Sequence, residues 1–274
     1  SIFLTFLQIN RDKGINIMDK KYVQDLAQKL YNAYNTKESL DWKDFKDAKL
    51  TEKDAYDVQH AFNKLKGESV RAYKISLTSK ETQDMFKSNT PLYGEEVESS
   101  VLKSGTTLQL AELMEPLLEV ELQFVAKEDL SVNDDDETLL KKTETAPGFE
   151  VPDSRFKDWF PKLPKELVVS DSAVAGRVVV GKTSKPLTLK DLEQVKVTVM
   201  FNGKELTSGY SSEVLGNPLN SVKWLVQKLD KEGRKVTKGT VVSTGTFVLP
   251  KRLQKGMYSA DFDHGAGRVE LFVK

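Results

Sequence analysis

The segment Leu117-Leu118-Glu119-Val120-Glu121-Leu122-Gln123-Phe124-Val125 alternates with period two. In a strand, that period puts Glu119, Glu121 and Gln123 on one face and Leu118, Val120, Leu122 and Phe124 on the other. Two carboxylates spaced this way suit a hard divalent cation, which takes oxygen ligands. They also repel each other, so they need water, lysines or a cation close by. The pattern alone is weak, and an exposed strand face with alternating glutamates is its commoner meaning.

Other chemistry-bearing residues are sparse. There are no cysteines, which excludes disulfides, thiolate metal sites and thiol nucleophiles. The two histidines, His60 and His264, lack a partner at metal-ligand spacing. His60 falls on a predicted helix as a surface or packing residue, and His264 falls in a loop or hairpin. The acidic run Asp134-Asp135-Asp136 lacks EF-hand spacing and the EF-hand glycine, and reads as a turn before a helix starting at Glu137. No Ser-His-Asp arrangement or phosphate-binding glycine loop is present.

The elements that must position the carboxylates follow from patterning. Val23, Leu26, Ala27, Leu30 and Tyr34 form a helical stripe from Lys20 to Tyr34, with Asp19 as its cap. Thr51, heading a Thr-x-x-Asp signal, starts a second helix that ends near Lys66 and Gly67. Beyond Glu68 come β-rich runs: Val70–Leu77, Glu119–Val125, Val195–Phe201, Thr240–Val248 and Val269–Val273. Asn202-Gly203 marks a tight turn, and a helix follows Pro218 with Val222, Leu225, Val226 and Leu229 on one face. The expected organisation is an extension over residues 1–17, a helical N-terminal region over 18–68 and a β-rich domain over 69–274. The 41 basic and 41 acidic residues cancel, so the basic footprint of a nucleic-acid binder is missing. No apolar run is long enough to span a membrane. A cytoplasmic location is expected.

Several short segments occur in a recognisable order. Tyr73-Lys74-Ile75-Ser76-Leu77-Thr78-Ser79 is followed by Pro91-Leu92-Tyr93-Gly94 and then by Glu119-Val120-Glu121. Next come Phe149-Glu150-Val151-Pro152-Asp153-Ser154-Arg155-Phe156-Lys157-Asp158-Trp159 and Asp171-Ser172-Ala173-Val174-Ala175-Gly176. Gly216-Asn217-Pro218-Leu219-Asn220-Ser221 and Thr244-Gly245-Thr246 close the series. This order and spacing, running from about residue 19 to the C-terminus, resembles the 2-oxopent-4-enoate hydratase and oxalocrotonate decarboxylase group of the fumarylacetoacetate hydrolase superfamily.

The resemblance implies an α+β fold, a mixed β roll or distorted barrel with a small helical N-terminal region. It implies Mg2+ or Mn2+ held by Glu119, Glu121 and Glu150, with a small 2-oxo acid chelating the ion. It places Lys74 at the site as a charge or proton-transfer group, and Ser76, Thr78, Ser172 and Thr246 as substrate-binding residues. The implied reaction is hydration of a 2-hydroxydienoate or its 2-oxo tautomer. The alternatives are decarboxylation of a 2-oxo-3-enedioate and a non-catalytic partner subunit. A homo-oligomer, and association with a related pathway enzyme, are further implications. The departures are local: Leu92 stands where the group carries a candidate acid/base aspartate, Ser76 replaces a glycine, and Ser172 and Asn217 replace an asparagine and a histidine. Glu95 or Glu96 is the nearest substitute acid, and Glu95 is taken as the catalytic candidate.

Overall fold

The computed structural model describes residues 20–274. The expectations for residues 1–17 and for Asp19 as a cap lie outside the described residues. Helix α1 covers residues 20–36 and α2 covers Glu52–Leu65. A capping box starts α2: the Asp54 backbone N–H donates to the Thr51 hydroxyl at 3.1 Å, and the Thr51 N–H donates to the Asp54 carboxylate at 3.0 Å. Gly67, at φ 71°, ends it. Leu26 and Leu30 of α1 and Val58 and Phe62 of α2 belong to one apolar cluster with residues of the strands.

The chain continues through β1 (Val70–Ser76), α3 (Lys80–Met85), β2 (Leu92–Val97), β3 (Val101–Lys103), β4 (Thr107–Leu108) and β5 (Leu117–Ala126). Then follow α4 (Asp136–Lys142), β6 (Thr143–Val151), α5 (Lys165–Ser170), β7 (Arg177–Val180) and α6 (Leu189–Leu192). The last elements are β8 (Lys196–Phe201), β9 (Lys204–Tyr210), α7 (Pro218–Lys231), β10 (Val241–Thr246), β11 (Lys251–Arg252), β12 (Gly256–Phe262) and β13 (Gly267–Val273).

One mixed sheet has the order β2-β1-β10-β5-β6-β7-β3, with β11 also paired to β5; a second has the order β4-β13-β12-β8-β9. In the first, β1 runs parallel to β10 and β3 parallel to β7, while the other neighbours are antiparallel. Asn202 and Gly203, at φ 50° and 81°, join β8 to β9. Positive φ at both central residues matches the right-handed twist of a hairpin. The Asp134–Asp136 run starts a helix as expected. Asp135 accepts the Thr138 N–H at 2.8 Å, and Asp134 pairs with Lys142 at 3.0 Å. Among the described residues no helix is long and apolar enough to cross a membrane.

A three-carboxylate candidate metal centre

Cross-strand register explains how distant residues converge. Lys74 of β1 pairs with Ser243 of β10, and Ser243 pairs with Gln123 of β5. One step along β5, Glu121 pairs with Thr246 across a register shift in β10, and with Gly148 of β6. One step further, Glu119 pairs with Glu150. Directly opposed residues share a face of a sheet, so Lys74, Ser243, Gln123, Glu121, Glu119 and Glu150 all rise from the same one. That face is not solvated: Glu121 and Gln123 are buried and Glu119 is partly covered.

Oxygens of Glu119, Glu121 and Glu150 lie within 4.8 Å of one another. Oε1 of Glu121 accepts from the Ser243 hydroxyl at 2.8 Å and from the Gly245 N–H at 2.9 Å. Lys74 Nζ is in ion-pair contact with Oε1 of Glu150, both side chains being almost fully buried. The second oxygen of Glu150 is buried without a hydrogen-bond partner.

The electrostatics follow from this crowding. Burial, then the Glu121 carboxylate, pushes the Glu119 carboxyl up to about 8. Burial, then Glu150, does the same to Glu121, to about 8, against the hydrogen bonds from Ser243 and Gly245. Burial and Glu119 hold Glu150 well above the usual carboxylate range. Burial disfavours the Lys74 ammonium, but the carboxylates of Glu150 and Glu119 outweigh it and raise its pKa. Fully ionised, three carboxylates and one ammonium sum to −2, a charge that a divalent cation neutralises. Together with the unpartnered Glu150 oxygen, the all-oxygen donor set fits a hard ion such as Mg2+ or Mn2+.

The cluster borders a cleft of about 570 Å³, open solvent at its mouth included, which Glu119 and Lys74 reach directly. Lys74, Ser76, Thr78, Thr246 and Glu119 line this cleft, and Phe86, Trp159, Phe160, Val168, Val174 and Pro250 make it apolar elsewhere. Leu77, at φ 58°, breaks β1 after Ser76, so Thr78 reaches the cleft from a turn and not from a continued strand. Gly245, at φ +124°, is required here. A Cβ on it would meet the Thr78 hydroxyl oxygen at 2.2 Å. The Thr246 hydroxyl donates to the Val248 carbonyl at 2.5 Å within the same turn.

Two expected site residues are not brought to the cleft. Glu95 pairs with Tyr73 while Lys74 pairs with Gly94, so Glu95 belongs to the opposite face of β2. There Glu95 contacts His60 Nδ1 at 2.6 Å and accepts from Arg234 at 2.7 Å. Burial raises its pKa, but these partners outweigh burial and lower it. Ser172 is buried between Asn63, whose side-chain amide donates to its hydroxyl at 2.9 Å, and the Glu95 carbonyl, to which it donates at 2.7 Å. It shapes the turn that presents Val174 to the cleft. Glu96, the other acid considered, lies on the Lys74 face and is buried. Leu92 pairs with Ser76 on that same face. His60 packs against Glu95, and His264 occupies the turn between β12 and β13.

Sequence reading overlooked Ser243, the Gly245 N–H as a donor to Glu121, and the apolar lining by Phe86 and Pro250. Trp159 and Val174 lay inside the matched segments without being assigned a place in the cleft.

No family model matches the chain. It is 32% identical over 238 residues to a 2-hydroxyhexa-2,4-dienoate hydratase of Comamonas testosteroni, covering 84% of this chain and 89% of that one. It is 30% identical over 201 residues to a 4-oxalocrotonate decarboxylase of Pseudomonas sp. CF600, covering 72% and 75%. The chain belongs to the 2-keto-4-pentenoate hydratase and 4-oxalocrotonate decarboxylase family. The solved 4-oxalocrotonate decarboxylase from Pseudomonas putida G7, complexed with magnesium and adipate, superposes with a TM-score of 0.83 at 25% identity, over 93% of this chain and 98% of that one. The fold also resembles that of a putative fumarylacetoacetate isomerase/hydrolase from Oleispira antarctica, with a TM-score of 0.58 at 16% identity over 75% of this chain, in line with the expected fold.

Proposed function

We propose that this chain is a divalent-metal-dependent lyase that adds water to a small 2-hydroxy-2,4-dienoate or its 2-oxo tautomer, giving a 4-hydroxy-2-oxo acid. The observation that carries this reading is the carboxylate cluster of Glu119, Glu121 and Glu150, which opens through Glu119 into a largely apolar cleft. These residues would hold Mg2+ or Mn2+, which supplies Lewis-acid polarisation of the substrate's C2 oxygen.

The chain's own residues supply the rest. Lys74, kept protonated by Glu150 and Glu119, offers positive charge to a substrate carboxylate; it is poised as an electrostatic or acid group and not as a base. Ser76 and Thr78 bring hydroxyls to the cleft lining, which Thr246 also joins although its own proton is given to the Val248 carbonyl. The apolar walls exclude water from all but the reacting end and receive a hydrocarbon tail.

A decarboxylase reading is favoured by the likeness to the solved decarboxylase. Its substrate class carries a second carboxylate. Among the described residues lining the cleft, Lys74 is the cationic one, and it lies at the metal end. The far end therefore favours a monoacid. The test is a substrate panel with Mg2+ or Mn2+, comparing alkyl-tailed 2-hydroxydienoates with 2-oxo-3-enedioates. Hydration of the former with little CO2 release from the latter supports the proposal; no consumption of either contradicts it.

A further inference from the structure

We infer that Ser243 and Gln123 are positioning residues that present a single carboxylate oxygen of Glu121 to the cation. This rests on reading Glu119, Glu121 and Glu150 as a metal centre. Oε1 of Glu121 receives two donors, the Ser243 hydroxyl at 2.8 Å and the Gly245 N–H at 2.9 Å. A carboxylate oxygen has two lone-pair sites, so Oε1 is saturated. No hydrogen bond among the described residues engages Oε2, which leaves that oxygen as the ligand atom and makes Glu121 monodentate.

The hydroxyl that occupies Oε1 is itself oriented. Ser243 has one proton to give, and it accepts from the Gln123 side-chain amide at 3.3 Å. With that lone pair engaged, the Ser243 proton is directed at Glu121. The amide cannot be reversed: its nitrogen also faces the Val179 and Phe149 carbonyls at 3.2 and 3.4 Å, and carbonyls only accept. Gln123 lies flat over Gly148, where a Cβ would meet its amide nitrogen at 2.1 Å. Both Gln123 and Ser243 are fully buried, so water does not compete for these bonds. The result is a relay from Gln123 through Ser243 to Glu121, set by the β10–β5–β6 register. Groups of this kind, one shell out from a metal ligand, alter metal affinity by roughly 10–100-fold when removed.

The experiment titrates Mn2+ against the protein, following the free-ion EPR signal, with thermal unfolding measured in parallel. Ser243→Ala should weaken Mn2+ binding on the order of 10-fold. Ser211→Ala is the control: its buried hydroxyl accepts the Val195 N–H at 2.9 Å and makes no bond to Glu121 or to its donors. That variant should lose stability while keeping wild-type Mn2+ affinity. Gln123→Met, should Ser243→Ala fail to fold, is expected to weaken binding in the same direction. Wild-type affinity in Ser243→Ala or Gln123→Met, with binding lost in Glu121→Gln, overturns the inference and leaves the metal reading standing. Equal weakening in Ser211→Ala also overturns it. A wild type that binds no Mn2+ overturns both.

Discussion

Lys74 on β1 and Glu150 on β6 form a buried ion pair although β10 and β5 lie between their strands. Neighbouring strands are about 4.8 Å apart, so a flat sheet would separate these two by about 14 Å, beyond the reach of the two side chains. The sheet must curl, and the pair closes its concave face over the glutamates. Lys74→Met leaves a buried carboxylate uncompensated, which costs on the order of 3 kcal/mol in urea unfolding. Turnover should fall on the order of 100-fold. Lys74→Met combined with Glu150→Leu should be less unstable than the sum of the single variants. Strict additivity would show that the pair is not coupled.

Glu119 and Glu121 make stability depend on pH in a direction opposite to that of paired surface carboxylates. Their folded carboxyls titrate near 8, against 4.5 for ordinary glutamate. Between those values the folded chain holds more protons than the unfolded one, so stability falls as pH rises. In EDTA, the melting temperature should therefore decline from pH 5 through pH 8. Saturating Mg2+ should flatten that decline, because the ion stabilises the ionised form, and its binding at pH 7 should release protons. Calorimetry in buffers of different ionisation enthalpy checks the release. A melting temperature in EDTA that rises over this range contradicts the assignment.

Gly94 lets the 171–175 turn lie against β2. A Cβ there would meet the Ser172 carbonyl oxygen at 1.9 Å and the Ala173 Cβ at 2.8 Å. Gly94→Ala must push away the turn that brings Val174 to the cleft, at a cost of about 1–3 kcal/mol. The expected kinetic result is a raised KM for alkyl-tailed substrates. Unchanged stability and KM would show that the turn yields freely.

Leu92 shares the Lys74 and Ser76 face. Leu92→Asp puts an acid on that face, and hydratase turnover should rise on the order of 100-fold, the low end of what a positioned acid contributes. The buried carboxyl should lower the melting temperature at the same time. Loss of stability with no gain in turnover would count against Leu92 as the position of a missing acid.

Local signals made much of this legible. The Thr51–Asp54 capping box, the Asn202-Gly203 turn and the period-two Glu119–Glu121 pair each depend on neighbours in the chain. Glu150 was reachable only through the resemblance, because its place opposite Glu119 depends on long-range strand pairing. The choice between Glu95 and Glu96 turned on β2, where alternation puts Glu96 and not Glu95 on the Leu92 face. No strand was expected over those residues, so that parity went unused. Ser172 misled for a related reason: it belongs to a matched segment, yet its hydroxyl is spent on Asn63 and Glu95. The curl that brings Lys74 to Glu150 is a property of the whole sheet.

The central claim is that Glu119, Glu121 and Glu150 together hold one divalent ion. Anomalous diffraction from crystals grown with Mn2+ tests it most directly. One strong peak is expected at roughly 2.0–2.3 Å from an oxygen of each glutamate, a distance typical of small hard divalent ions, with Oε2 of Glu121 as its contact. A peak elsewhere, or none at saturating Mn2+, would contradict it.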